Sequence, residues 1–271
     1  MILTRHQING SQRWAIDGFL LSPAFDFKQL CSKHPHEVSP YLTSFSTTDE
    51  AVGSLLPPVE YDQEVWACGV TYLRSRDARE AETDIKNIYD RVYAAKRPEL
   101  FFKAIGWRVK GTHSPIRIRK DSHWNVPEPE LTLLVNSFGE ILGYCVGNDV
   151  SSRNIEAENP LYLPQAKIYD GSCALGPGIC LTEPKQMQSL TIELVIERNG
   201  DIIYKGETST SQIKRAFDEL ASYLTMEMTF PFGVFLLTGT GIIPDEAFSL
   251  RVGDKVVITI DTLVLENHVE S

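Results

Sequence analysis

The 271-residue chain predicts a mainly β protein of the α+β class, and three stretches carry that expectation. Residues 127–149 read as two apolar runs around a polar turn at Ser137, Phe138 and Gly139. Asn199 and Gly200 separate a second pair of runs, TIELVIER and DIIYKGET, which is the strongest short-range hairpin signal. The C-terminal GDKVVITIDTLVLENHV adds a further strand-rich segment.

Taken in order, Trp14 to Leu21 is strand-like and Phe27 to Ser32 reads as a helix. A polar, proline-containing stretch then ends at Pro57 and Pro58, where neither residue favours a continuing helix or central strand. That pair predicts a boundary between a small N-terminal domain, residues 1–60, and a larger one, residues 61–271. His34 and His36 flank Pro35; an HxH pair can bind metal, but no third ligand is nearby and the segment reads as a solvated loop. VWACGVTY is a buried strand. Beyond it Ala81, Ile85, Ile88 and Val92 recur at helical spacing, and Pro98 stops that helix. LFFKAIGWRV carries Phe102 and Lys103, and Ile116 and Ile118 alternate with Arg117 and Arg119 as a half-buried strand. After the Asn199–Gly200 hairpin, Ile213, Phe217, Leu220 and Leu224 predict a helix with cap candidates from Ser209 to Ser211 and Pro231 beyond its end.

The net charge of -10 argues against nucleic acid or a membrane surface as partner. No apolar run reaches membrane-spanning length and the first residues lack a signal-peptide core, so a cytoplasmic protein is expected. Five cysteines, Cys31, Cys68, Cys145, Cys173 and Cys180, form no CxxC pair and fit a reduced compartment. Cys145 and Cys180 read as small hydrophobes, and Cys173, with no neighbouring His, reads as buried structure rather than as a nucleophile.

The chemistry concentrates in PEPELTLLVNSFGEILGYCVGNDVSSRNIEAENPLYLPQAKIYDG, residues 127–171. Strand side chains alternate, so Glu128 and Glu130 share one face while Leu131, Leu133 and Val135 take the other. A turn centred near Phe138 brings Asn148 and Asp149 opposite Glu128. Three converging carboxylates repel one another unless a cation joins them, and an all-oxygen ligand set favours Mg²⁺, with Mn²⁺ or Ca²⁺ as substitutes. The competing reading of the same spacing is a solvated strand face with Asp149 capping a turn.

The order of ExE, hairpin, GNDVSSR, a following Lys167, GPGI, LLTGTG and LRVGDKVVITID resembles the fumarylacetoacetate hydrolase family across residues 64–268. The resemblance implies a mixed β-sandwich or β-roll around a metal held by Glu128, Glu130 and Asp149, and a homodimer or higher homo-oligomer. Hydrolase members carry GxNYxxHxxE on the first loop; here GVTYLRSRDARE puts Thr71, Ser75 and Ala78 where Asn, His and Glu stand, so the water-activating dyad is missing. VTYLRSR, PELFFK and LLTGTGIIP instead resemble the branch that dehydrates 2-keto-3-deoxy sugar acids of the arabinonate type to 2,5-dioxopentanoate in oxidative pentose breakdown. On that reading Lys167 takes the C3 proton or fixes the enolate oxygen, with burial and a nearby dication favouring the amine. Ser75, Arg76 and Thr240 hold the hydroxylated tail or protonate the leaving hydroxyl. Phe102, Lys103, Arg153, Glu156 and Asp170 are the expected substrate contacts, although Arg153 and Glu156 at i, i+3 suit an ordinary helix pair and Asp170 before Gly171 suits a turn. The rival activities are acylpyruvate hydrolysis and oxaloacetate decarboxylation; a non-catalytic binding protein is the third reading.

Overall fold

The computed structural model of the chain describes residues 1–73 and 88–271. Its backbone is a sandwich of two sheets, mainly β as the sequence predicts. The larger sheet has eleven strands and the smaller five, with a separate two-stranded ribbon of Asn125–Val126 and Ser151–Ser152. At the centre of the larger sheet, Pro129–Val135 pairs antiparallel with Ile141–Asp149, and the turn between them is the one expected around Phe138. Val234–Leu237 flanks Pro129–Val135 on the other side and runs parallel to Glu64–Gly69, so the chain leaves both of those strands at the same end of the sheet. That shared end is where the candidate site forms.

Period-two alternation decides what each face buries. Leu131, Leu133 and Val135 join Ile192, Leu194, Ile258 and the helix residues Leu220 and Leu224 in the core between the two sheets. Leu134, Cys145, Phe235 and Leu237 face the opposite way, toward Trp14, Phe27, Leu30, Val38 and Leu42 of the N-terminal segment. Residues 1–60 extend the main sheet, because Ile2–Ile8 pairs with both Ser54–Leu56 and Cys173–Leu181. The Pro57–Pro58 pair follows directly on the end of Ser54–Leu56, in the connection that leads to Glu64–Gly69.

The Asn199–Gly200 hairpin forms as expected between Thr191–Arg198 and Asp201–Ser209, with both turn residues at positive φ. Two helices differ from the sequence reading. Pro35–Ser44 is a helix where a solvated loop was expected; Pro35 suits its first turn, and the Glu37 carboxylate accepts from the His34 backbone N–H at 2.8 Å. His34 hydrogen-bonds Glu140 at 2.8 Å and stacks on Phe138, so the histidine pair anchors a helix to the central hairpin. The later helix starts at Phe217 rather than near Ser209, because Ile213 bridges to Tyr72 and Ser209 caps a short 3₁₀ turn over Thr210–Gln212. Of the predicted helix before Pro98, Ile88–Ala94 is described and is helical, while Ala81 and Ile85 lie outside the described residues.

Candidate active site

Register builds the site. The Asp149 N–H donates to the Glu128 carbonyl at 3.0 Å and Glu130 stands opposite Gly147, so Glu128, Glu130 and Asp149 project from one face at one end of the central hairpin. One carboxylate oxygen from each lies within 4.8 Å of the others, and all three residues are buried. The solvated-face reading is therefore excluded. Burial, reinforced by Asp149 and Glu128, pushes the Glu130 carboxyl well above its ordinary value. The Gly239 N–H opposes that rise by donating to Glu130 Oε2 at 2.6 Å. Gly239 holds φ +89°, and a Cβ there would stand 2.1 Å from the Thr71 hydroxyl, so the loop after Val234–Leu237 needs glycine to bring its N–H to the carboxylate.

Lys167 ends a short helix, Leu163–Lys167, and is buried. Its ammonium donates to Glu128 at 2.7 Å, Asp149 at 3.0 Å and the Ser151 hydroxyl at 2.6 Å, and it lies 5.7 Å from the centre of the Phe101 ring. Arg153 pairs with the other oxygen of Glu128 at 3.0 Å, held there because its backbone N–H donates to the Trp124 carbonyl. Lys103, fully buried, forms an ion pair with Asp149 Oδ1 and donates to the carbonyls of Val150 and Lys167. These groups bound a cavity of about 10 Å³, lined by Gly69, Val70, Phe101, Lys167, Gly239, Thr240 and the triad. That is room for one water-sized sphere, enough for a bare cation.

The structure thus gathers Glu128, Glu130, Asp149, Lys167, Thr240, Arg153 and Lys103 into one buried region around the hairpin end, and Glu156 is buried on the helix Arg153–Glu158 that Arg153 begins. Three expected contacts fall differently. Phe102 packs edge-on against Trp66, and its neighbour Phe101 faces the cavity, since adjacent strand residues take opposite faces. Asp170 is exposed and sits 3.6 Å from Arg108, away from the cavity, at the turn before Gly171. Lys103 pairs with Asp149 but does not line the cavity. Ser75 and Arg76 lie outside the described residues. Cys173 is buried and burial pushes its thiol up to about 12, as a structural cysteine requires.

One residue escaped the sequence reading. Gly69 lines the cavity, and a Cβ there would stand 1.8 Å from Glu99 Oε2, so the Glu99 carboxylate occupies the space a side chain would fill. Glu99 and Gly69 are register partners across an antiparallel pair. A glycine closing the run VWACG against an acidic strand start was the available signal.

A two-sheet sandwich with a buried, all-oxygen triad beside a buried lysine defines a protein built around a divalent-cation pocket. Residues 65–270 match the family model described as Fumarylacetoacetate (FAA) hydrolase C-terminal. The chain belongs to the fumarylacetoacetate hydrolase family. It is 48% identical over 211 residues to a protein of Haloferax volcanii named Probable 2-keto-3-deoxyxylonate dehydratase, covering 76% of this chain and 72% of that one. It is 42% identical over 228 residues to the 2-dehydro-3-deoxy-D-arabinonate dehydratase of Saccharolobus solfataricus, covering 82% and 75%. A solved structure titled 2-keto-3-deoxy-D-arabinonate dehydratase complexed with magnesium and 2,5-dioxopentanoate superposes with a TM-score of 0.81 at 34% identity, over 100% of this chain and 99% of that one.

Proposed function

We propose that this chain is a hydro-lyase that removes water from a 2-keto-3-deoxy sugar acid of the arabinonate or xylonate type, giving 2,5-dioxopentanoate. The observation that carries the reading is Lys167 held at 2.7 and 3.0 Å against two members of a buried carboxylate triad. A structural cation site has no use for a buried lysine at its edge. The 48% and 42% identity to proteins named as such dehydratases supports the substrate class.

Glu128, Glu130 and Asp149 fit Mg²⁺: three hard oxygen donors from three residues, buried and within 4.8 Å of one another. Bound there, Mg²⁺ supplies Lewis-acid polarisation of the substrate's carboxylate and 2-oxo oxygens, which makes the C3 proton more acidic. Lys167 is the base for that proton in its neutral amine form, which its ammonium reaches by giving up one of the three protons it shares with Ser151, Glu128 and Asp149. Glu99, against Gly69 at the cavity wall, donates a proton to the departing C4 hydroxyl. Loss of that water leaves a C3=C4 unsaturated acid; the Glu99 carboxylate then takes a proton from C5 while the Lys167 ammonium returns one to C3, which resets both groups and gives the enol that tautomerises to the semialdehyde. Phe101 shields the lysine from water, and Thr240, whose hydroxyl accepts from the Ile242 N–H at 3.1 Å, lines the cavity. Ser75 and Arg76, outside the described residues, keep the expected role at the sugar-acid tail, and Arg153 and Glu156 the expected role of substrate contacts. Thr71, where hydrolases carry Asn, donates to the Thr238 carbonyl at 2.7 Å and ties two loops together.

The net charge of -10 and the five free cysteines support a cytoplasmic setting, and no described helix is long and apolar enough to cross a membrane. We place the reaction in oxidative pentose breakdown by a homodimer, an assembly that sedimentation would read directly.

The test is turnover by purified protein, stripped with chelator and resupplied with Mg²⁺, on 2-keto-3-deoxy-L-arabinonate and its D isomer beside acetylpyruvate and oxaloacetate. Semialdehyde from either sugar acid supports the dehydratase and fixes its stereochemistry. Pyruvate from acetylpyruvate or oxaloacetate, with both sugar acids inert, overturns it.

A further inference from the structure

Lys103 was expected to touch substrate, yet its surroundings leave it nothing to offer one. An ammonium has three protons and no acceptor. Three oxygens ring this one: Asp149 Oδ1, the Val150 carbonyl at 3.2 Å and the Lys167 carbonyl. Its side chain is 0% exposed and that of Asp149 1% exposed. It reaches them from Glu99–Ile105 at the point where that strand's register with Glu64–Gly69 shifts, Val65 facing Ala104 and Trp66 facing Phe102, so Lys103 is the extra residue of a bulge, two residues after the cavity-lining Phe101.

We propose that Lys103 is a positioning residue that joins the metal-ligating Asp149 and the reacting Lys167 into one rigid unit. Asp149 carries a different lysine on each oxygen: Lys103 on Oδ1 and Lys167, at 3.0 Å, on Oδ2. Lys103 therefore fixes the rotation of the carboxylate and presents Oδ2 to the cavity. Through the Lys167 carbonyl it also pins the end of the helix Leu163–Lys167, and with it the stem of the side chain whose amine must reach C3. The Ser172 hydroxyl donates to that same carbonyl at 2.9 Å, so the main chain at Lys167 is held from two sides. A buried charge is retained at a site when every oxygen around it is oriented by it. The inference rests on the triad being the cation site proposed above.

The experiment compares wild type with Lys103→Met, which keeps the volume of the side chain and removes its charge. Mg²⁺ affinity is read by calorimetry without substrate, and kcat and KM are read at saturating Mg²⁺. A positioning role predicts Mg²⁺ binding weakened about tenfold or more and kcat reduced about a hundredfold, the range seen when a group orienting a metal ligand is lost, with KM within about threefold of wild type. A raised KM with kcat and Mg²⁺ affinity unchanged overturns it and makes Lys103 a substrate contact. If Lys103→Met does not fold, Asp149→Asn and the double variant Lys103→Met/Asp149→Asn supply the test, because the double variant removes both buried charges. Equal Mg²⁺ affinity in those two variants, with no further loss from Lys103→Met, is the expected coupling; additive losses overturn it. Wild-type protein that binds no Mg²⁺ at all overturns the cation-site reading instead, so the two failures are distinguishable.

Discussion

Removing the cation should make the folded protein sensitive to alkaline pH through Glu130. Its carboxyl sits well above the ordinary range because it is buried, with Asp149 and Glu128 adding to the rise and Lys167 and the Gly239 N–H opposing it. A folded-state value above the unfolded one, about 4.3, means that the native state holds a proton the unfolded chain has released. The stability contributed is complete below the unfolded value and is lost as pH rises toward and through the folded one. Between the two, one extra proton on the native state costs about 1.4 kcal/mol per pH unit. For a chain of this size about 1 kcal/mol moves Tm by roughly 2 °C, so Tm in chelator should fall by roughly 3 °C per pH unit relative to Glu130→Gln, which has no proton to lose. Mg²⁺ at a hundredfold excess over its Kd adds about 2.7 kcal/mol, roughly 5 °C, and this increment should grow with pH, since the cation replaces the proton. Scanning fluorimetry from pH 5.5 to 8, with chelator or Mg²⁺ and in both proteins, reads all four slopes. Equal slopes for wild type and Glu130→Gln in chelator, or an Mg²⁺ increment flat in pH, would refute the reasoning.

Other substitutions separate roles within the cavity. Lys167→Met should lower kcat by about a thousandfold, within the range of a lost general base, and calorimetry should still find Mg²⁺ bound. Glu99→Gln should lower kcat by about a hundredfold with Mg²⁺ affinity unchanged, and a kcat within twofold of wild type would remove it from the mechanism. Asp170→Asn should leave kcat and KM as they are, because the exposed carboxylate faces Arg108. Treatment of the native enzyme with iodoacetamide at pH 7.5 should spare activity, since Cys173 is buried and its thiol is pushed up to about 12.

What the sequence disclosed is whatever depends on local spacing. Period-two alternation placed Glu128 and Glu130 on one face, and the turn at Phe138 fixed the register that delivers Asp149. The Asn199–Gly200 turn dictated its hairpin for the same reason. What it hid depends on pairings between distant segments. Nothing in PELFFK says that Glu99 faces a bare glycine thirty positions earlier, since that follows from the pairing of Glu64–Gly69 with Glu99–Ile105. The Phe102 expectation chose between two adjacent aromatic residues that take opposite faces: Phe101 lines the cavity and Phe102 packs on Trp66, while Lys103 sits where the register shifts, which the sequence does not show. Ile213 kept helical spacing with Phe217 and Leu220 but was drawn into an extended bridge with Tyr72, a tertiary contact that overrides periodicity.

The charges around the triad suggest why the site favours an enolate over the keto acid that precedes it. Glu128, Glu130 and Asp149 bring three negative charges when ionised, Lys103 and Arg153, each in contact with one of them, bring two positive ones, and Lys167 brings a third only after it has taken a proton. Those five charged groups sum to one negative charge, so a divalent cation would leave one positive charge. The keto acid neutralises it. Passage of the C3 proton to Lys167 keeps the sum at zero but sets a dianionic enolate against the new ammonium and the cation, which is differential stabilisation of the species that follows proton transfer. A planar dianion should therefore bind better than a monoanion of the same shape. Oxalate and oxamate differ by one charge at nearly constant volume. Two unit charges about 4 Å apart interact by about 4 kcal/mol at an effective dielectric near 20, so even with most of that offset by dehydration oxalate should inhibit at least about tenfold more strongly, with the preference lost in Lys167→Met/Arg153→Met only if more than the cation sets the balance. Equal inhibition by oxalate and oxamate at saturating Mg²⁺ would show that geometry, and not charge, selects the bound form.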